Sequence, residues 1–139
     1  MKGIDGLLLR AAVVYLLAGM LLGMFMGMSD DHSQMPTHAH INVLGWASMA
    51  LYGVVYRAWP EAAHSPLAPW QFWIANLGTL VLVIGVAGIM AGHEAAFEPI
   101  VISGSILSLI GALLFAIIVY TRIGLAQLTG RAEPLGAAD

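Results

Sequence analysis

Residues 7–28 form a long apolar stretch that decides the class of fold, and they read LLLRAAVVYLLAGMLLGMFMGM. Arg10 is its one charged residue. Because a helix that crosses a bilayer needs about 20 mostly apolar residues, this stretch predicts a membrane-spanning helix. Similar stretches occupy residues 37–56, 70–92 and 99–120. The sequence therefore predicts an all-α membrane protein with four transmembrane helices in an up-down-up-down bundle.

The composition excludes several classes of protein. Of the 139 residues, 60% are hydrophobic and 9% are charged, whereas about a quarter of an ordinary soluble domain is charged. A soluble enzyme and a disordered chain are therefore excluded. The net charge of −3 with five Lys and Arg residues leaves no basic patch for nucleic acid. The absence of cysteine excludes disulfides, thiolate metal sites and a catalytic thiol.

The charges predict the orientation of the spans. With four spans, the Lys and Arg residues fall at the termini, in the middle loop or, for Arg10, near the start of the first span, while the loops 29–36 and 93–98 hold only acidic charges. The positive-inside rule then places both termini in the cytoplasm. We expect a single domain over 1–139 in the inner (cytoplasmic) membrane, with a cytoplasmic tail at 121–139 and the other two loops facing the periplasm or outside. The basic residues are Lys2, Arg10, Arg57, Arg122 and Arg131; the acidic loop residues are Asp30, Asp31, Glu94 and Glu98.

Small residues at four-residue spacing predict close helix contacts. Such stripes let the backbones of membrane helices approach each other. They are compatible both with packing inside one four-helix unit and with contacts in a homo-oligomer. The stripes comprise Gly19, Gly23 and Gly27 in the first span, Gly88 and Gly92 in the third, and Gly104 and Ser108 in the fourth.

Four of the five histidines map to the predicted outer side of the membrane, and His64 maps to the inner loop. Ionisable residues near a membrane are rare and usually functional, and neutral imidazole is a common metal ligand. His32, His38, His40 and His93 are therefore candidate metal ligands. The alternative is that they only bind water, headgroups and backbone carbonyls. His38 and His40 lie about 200° apart around a helix, so we expect only one of them on a ligand-binding face.

Two further residues of the second span are candidates for contact with a cofactor. Asn42 and Trp46 are one helical turn apart and offer a polar group and a large aromatic wall; the alternative is packing between helices. Methionines are numerous toward the outer side. Their thioethers suit Cu(I), but they are also ordinary packing groups.

Residues 35–46, MPTHAHINVLGW, resemble the second helix of the catalytic subunit of haem–copper oxidases, nitric oxide reductases above all. In that family a His-x-Asn segment opens the helix, and its histidine is an axial ligand of the low-spin b-type haem. The resemblance implies this role for His40, with Asn42 completing the pattern. The family's subunit has many more spans, and its adjacent pair of active-site histidines is absent here. The resemblance therefore implies a haem ligand, but it does not imply a centre that reduces oxygen or nitric oxide.

The resemblance also implies an oligomer. The helices of the family form three arcs with approximate threefold symmetry, and the low-spin haem is held by histidines at equivalent positions of two arcs. A four-span chain would reproduce this arrangement as a homotrimer in which His40 residues of adjacent copies face each other across a haem. A twofold dimer would also provide two histidines, and His93 is another candidate for the second ligand.

Three functions remain open from the sequence. The first is a haem b-binding membrane protein for electron transfer or gas and redox sensing, either an oxidoreductase or an electron carrier with an unidentified redox partner. The second is an outer-face protein that binds copper or another transition metal. The third is a cofactor-free assembly subunit. Under each of these functions, the protein lies in the lipid bilayer.

Overall fold

The computed structural model describes residues 3–124, which are mostly helical and contain no strand. The helices are α1 (Ile4–Ser29), α2 (Met35–His40), α3 (Ser48–Ala58), α4 (Pro60–Ala63), α5 (Ala68–Met90) and α6 (Glu94–Arg122). Between α2 and α3, Ile41–Ala47 forms a π-helical segment. The all-helical prediction is confirmed for this part of the chain.

Three helices are long and apolar enough to cross a membrane, namely α1, α5 and α6. The second predicted span is also helical without a break over residues 35–58. It is divided into α2, the π-helical segment and α3, none of which reaches that length alone. Of the predicted tail at 121–139, the part from residue 125 onward lies outside the described residues.

The turn between α5 and α6 is shorter than predicted. Residues 93–98 were expected to be a loop, but α6 begins at Glu94 and includes Pro99. The turn is tight because Gly92 adopts a φ of 88°. The backbone N–H groups of Gly92 and His93 bond to the carbonyls of Ile89 and Gly88 at 2.9 and 3.1 Å. This arrangement is a Schellman motif, and it leaves no room for a longer loop.

Helices α5 and α6 approach each other through glycines. A Cβ atom added to Gly104 would lie 2.4 Å from the backbone nitrogen of Leu82, and one added to Gly78 would lie 2.5 Å from that of Ser108. The residue numbers in these contacts rise along α5 as they fall along α6, so the two helices are antiparallel. The glycines of each helix are seven residues apart, a spacing that keeps them on one side of the helix. The glycines are Gly78 and Gly85 on α5 and Gly104 and Gly111 on α6.

The other predicted glycine stripes are only partly used for packing. Gly19 and Gly23 of α1 contact the second helical stretch, whereas Gly27 has no atom within 4 Å of an added Cβ. Gly88 packs against Phe97. Gly92 belongs to the turn after α5, so its spacing from Gly88 does not reflect a packing stripe.

The buried core lies at the end of the bundle that carries the chain termini. It joins the start of α1, the end of α3, α4, the start of α5 and the end of α6, through Leu8, Tyr56, Ala62, Phe72 and Ile118 among others. Farther along α1, large apolar side chains are exposed, and Met28 is 81% accessible. Such apolar exposure is expected of helices that face lipid. The histidines of the candidate site lie at this second, less enclosed end.

We predict that Gly104→Ala lowers stability by about 1–3 kcal/mol. The new methyl group would meet the backbone of α5, which can yield only if the two helices separate. Gly6→Ala is the matched control, because an added Cβ there has nothing within 4 Å. Thermal unfolding in detergent, followed by tryptophan fluorescence, checks both variants. Equal unfolding midpoints for them would contradict the close α5–α6 contact.

Candidate functional site

His38 and Asn42 lie against α1 at positions where that helix carries glycine and therefore has no side chain. A Cβ atom added to Gly23 would be 2.9 Å from Cε1 of His38, and one added to Gly19 would be 2.6 Å from Nδ2 of Asn42. The two polar residues are partly buried. The glycines of α1 therefore provide the space in which this polar pair is held.

Asn42 is bonded to His38, four residues earlier. Its Nδ2 donates to the His38 carbonyl at 2.8 Å and lies 3.4 and 3.3 Å from Nδ1 and Nε2 of the His38 ring. Because an N–H···O bond is usually about 2.9–3.0 Å long, the carbonyl bond is the strong one and the ring contacts are weaker. Asn42 is thus anchored to the backbone of His38 and also lies against its ring. The hydrogen bonds of Asn42 go to His38 and not to His40.

The π-helical segment begins directly after His40. At its end the backbone N–H of Ser48 bonds to the carbonyl of Val43, five residues earlier, and the Ser48 hydroxyl donates to the same oxygen at 2.8 Å. Such turns are rare and occur frequently at functional sites. Trp46 lies within this segment and is 42% exposed.

His40 lies on a different side of its helix from His38. Its Nδ1 is 2.7 Å from the carbonyl oxygen of Pro36. A carbonyl can only accept a hydrogen bond, so Nδ1 carries the proton and the neutral ring has its lone pair at Nε2. Ala39, Val43 and Leu44 line an apolar groove beside the ring, with a volume of about 280 Å³. His40 thus combines the tautomer of a metal ligand with an apolar neighbourhood.

His64 makes the same backbone contact at the other end of the bundle. Its Nδ1 is 2.7 Å from the carbonyl oxygen of Pro60, again four residues earlier at the start of a helix. The contact alone therefore does not distinguish a functional histidine. The distinguishing features of His40 are the apolar groove beside it and the π-helical segment that follows it.

The remaining outer histidines are exposed. His32 lies in the turn after α1, and His93 precedes α6 with its ring centroid 6.4 Å from that of Phe97. Near His32, the backbone N–H of Ser33 donates to Asp31 at 2.9 Å, and this bond holds the pKa of Asp31 below its usual value. Within residues 3–124, no three His, Asp or Glu residues are grouped so that they could hold a metal ion.

Two polar residues that the sequence analysis did not single out connect this end to α5. Gln34 donates through Nε2 to the carbonyl of Ala87 at 3.3 Å, and the Thr37 hydroxyl donates to Oε1 of Gln34 at 2.7 Å. Thr37 is buried. The signal that could have indicated the pair is the spacing of two polar residues three apart at a helix start. Together they attach the start of α2 to α5.

We predict that Gly19→Ala displaces Asn42 and lowers stability by about 1 kcal/mol, because the amide loses its bond to the His38 carbonyl. An added methyl group would overlap the Asn42 amide. Gly27→Ala, eight residues along α1, is the matched control, because nothing lies within 4 Å of its added Cβ. Thermal unfolding in detergent measures both changes. A Gly19→Ala protein as stable as Gly27→Ala would show that Asn42 is not held against α1.

Comparison of the chain with protein-family models, curated proteins and solved structures returned no match.

Proposed function

We propose that the chain crosses the membrane four times with both termini in the cytoplasm. Residues 35–58 are helical throughout and about as long as α5, which supports a second span in addition to α1, α5 and α6. Among the described residues, Arg57 and Arg122 lie at the end of the bundle that carries the termini, whereas Asp30, Asp31 and Glu94 lie at the other end. The positive-inside rule assigns the first of these ends to the cytoplasm.

We further propose that the protein binds haem b through His40 near the outer face of the membrane. The observation that carries this proposal is the apolar groove that His40 lines, next to a ring whose Nδ1 is bonded to the Pro36 carbonyl at 2.7 Å. Such a bond is typical of metal-ligating histidines, since it orients the ring and raises the basicity of the other nitrogen. The apolar groove beside His40 suits the face of a porphyrin, and the resemblance of residues 35–46 to a haem-binding helix points the same way.

The size of the groove supports a site shared between copies of the chain. Binding pockets usually have volumes of roughly 300–1,000 Å³ and enclose most of the ligand. The groove at His40 has about 280 Å³ and is lined by one helical stretch only, through Ala39, His40, Val43 and Leu44. One chain thus supplies a single wall. A second copy would supply the other wall and a second His40, whereas His93 does not line the groove.

Two histidine ligands favour electron transfer over catalysis or gas binding. A haem held on both sides by imidazole has no open position for a substrate, and its potential depends on ligand identity, burial and hydrogen bonds. Here the Pro36 carbonyl and the apolar groove are the chain's own means of setting that potential. The proposed role is an electron carrier in the inner membrane that exchanges electrons with a redox partner.

We predict that His40→Ala abolishes haem binding, whereas His64→Ala preserves it. The two histidines make the same contact with a proline carbonyl, so the pair separates ligation from loss of a local hydrogen bond. The measurement is the visible spectrum of the detergent-solubilised protein with and without dithionite. We expect a sharp reduced α-band in the unchanged protein and in His64→Ala, and none in His40→Ala.

Two results would contradict the haem assignment. One is a His40→Ala protein that keeps its full haem content. The other is a colourless unchanged protein that contains stoichiometric copper by elemental analysis, which would instead support a copper-binding function.

We also predict a homo-oligomer, either a trimer or a dimer, because each copy supplies one wall of the proposed site. Mass photometry of the purified protein in detergent should give a mass of two or three chains together with the detergent. A haem-containing monomer would exclude the shared site.

A further inference from the structure

A second cavity lies at the end of the bundle that carries the chain termini. Its volume is about 690 Å³, and it is bounded by the start of α1, the end of α3, α4 and the start of α5. Its walls are mainly apolar, with residues such as Leu7 and Pro69, but Asp5, Arg57 and His64 also line it. An apolar cavity with a few polar groups is the usual form of a small-ligand site.

The polar groups of this cavity offer both acceptors and a donor. Asp5 is largely shielded, with a side chain 16% exposed, and its carboxylate is 3.3 Å from the guanidinium of Arg57. The Nδ1 of His64 donates to the Pro60 carbonyl, so Nε2 of the neutral ring accepts. The ligand side of the cavity therefore presents two acceptors, at Asp5 and His64, and one cationic donor, at Arg57.

This combination of polar groups favours a ligand that carries both a positive and a negative charge. Asp5 and Arg57 cancel each other, so a simple anion gains little net attraction. A ligand with a primary ammonium satisfies both acceptors, because an ammonium has three N–H donors. A phosphate on the same ligand binds the guanidinium, which prefers oxyanions. A quaternary ammonium has no N–H and cannot make the first set of bonds.

The surroundings of the cavity indicate that this ligand is a lipid. Trp70 and Trp73 at the same end of the bundle are 65% and 67% exposed, and exposed tryptophans of membrane helices lie at the level of the headgroups. The apolar walls of the cavity offer a surface for the glycerol and acyl region. We propose that this cavity binds phosphatidylethanolamine, with its ammonium at Asp5 and His64 and its phosphate at Arg57. The proposal is independent of haem binding.

The test compares lipids that differ only in the ammonium. The purified full chain in detergent is titrated with short-chain phosphatidylethanolamine, its N-methylated forms and phosphatidylcholine, and the unfolding midpoint is followed by tryptophan fluorescence. We expect binding to weaken with the second and third methyl groups, because two acceptors need two N–H donors and the monomethylated ammonium still has two. Asp5→Asn should weaken phosphatidylethanolamine binding about ten-fold, because it removes a charge-assisted hydrogen bond. Glu61→Gln is the matched control, since Glu61 is exposed at the same end and outside the cavity lining.

His64→Ala provides a second test of the cavity should Asp5→Asn fail to fold, and it should also reduce the preference for phosphatidylethanolamine over phosphatidylcholine. Equal binding of these two lipids would overturn the proposal, as would an unchanged preference in a folded Asp5→Asn or His64→Ala protein. Tighter binding of phosphatidylglycerol would show that the cavity selects anions. Equal binding of glycerophosphoethanolamine, which lacks acyl chains, would show that the ligand is not a lipid.

Discussion

Glycine residues, which have no side chain, determine where the helices of this chain are in contact. Lipid tails are as apolar as the helix surfaces, so association in a membrane depends on close van der Waals contact and interhelical hydrogen bonds rather than on removal of apolar surface from water. Gly78 and Gly104 bring the backbones of α5 and α6 together. Gly19 and Gly23 serve a different purpose, because they admit the polar side chains of Asn42 and His38. The same residue type thus creates both the tightest apolar seam and the polar contact of the candidate site.

The two histidines of the HAH sequence are thereby given separate environments. His38 is enclosed between α1 and the Asn42 amide, where it connects helices of one chain. His40 is bonded to the Pro36 carbonyl and borders a groove that one chain leaves open. This separation is the basis of the proposal that His40, and not His38, ligates a haem between copies.

The sequence predicts the helices well, because the length of an apolar stretch is a strong constraint in a bilayer. The predicted spans overlap all the long helical stretches, and the divergence of His38 and His40 follows from helix geometry. The predicted fourth span begins at residue 99, where the apolar stretch begins, whereas the turn at Gly92 allows α6 to begin at Glu94. The π-helical segment includes Gly45, which lies close to Tyr15 of α1, and contacts between residues so far apart in the chain are not encoded locally in a single sequence.

The π-helical segment Ile41–Ala47 also changes the rotation of the helix about its own axis. Each residue of an α-helix turns the chain by about 100°, and a wider turn changes the angle at which everything beyond it is presented. The segment lies between the histidines and α3, whose Tyr56 is buried in the core. The burial of Tyr56 therefore fixes the rotation of one half of this helix, whereas the contact of His38 with Gly23 of α1 and the bond from Gln34 to α5 fix that of the other half. Deletion of one residue from the segment would rotate one half of the helix relative to the other by about 100°. Tyr56 and His38 could then not both keep their present positions.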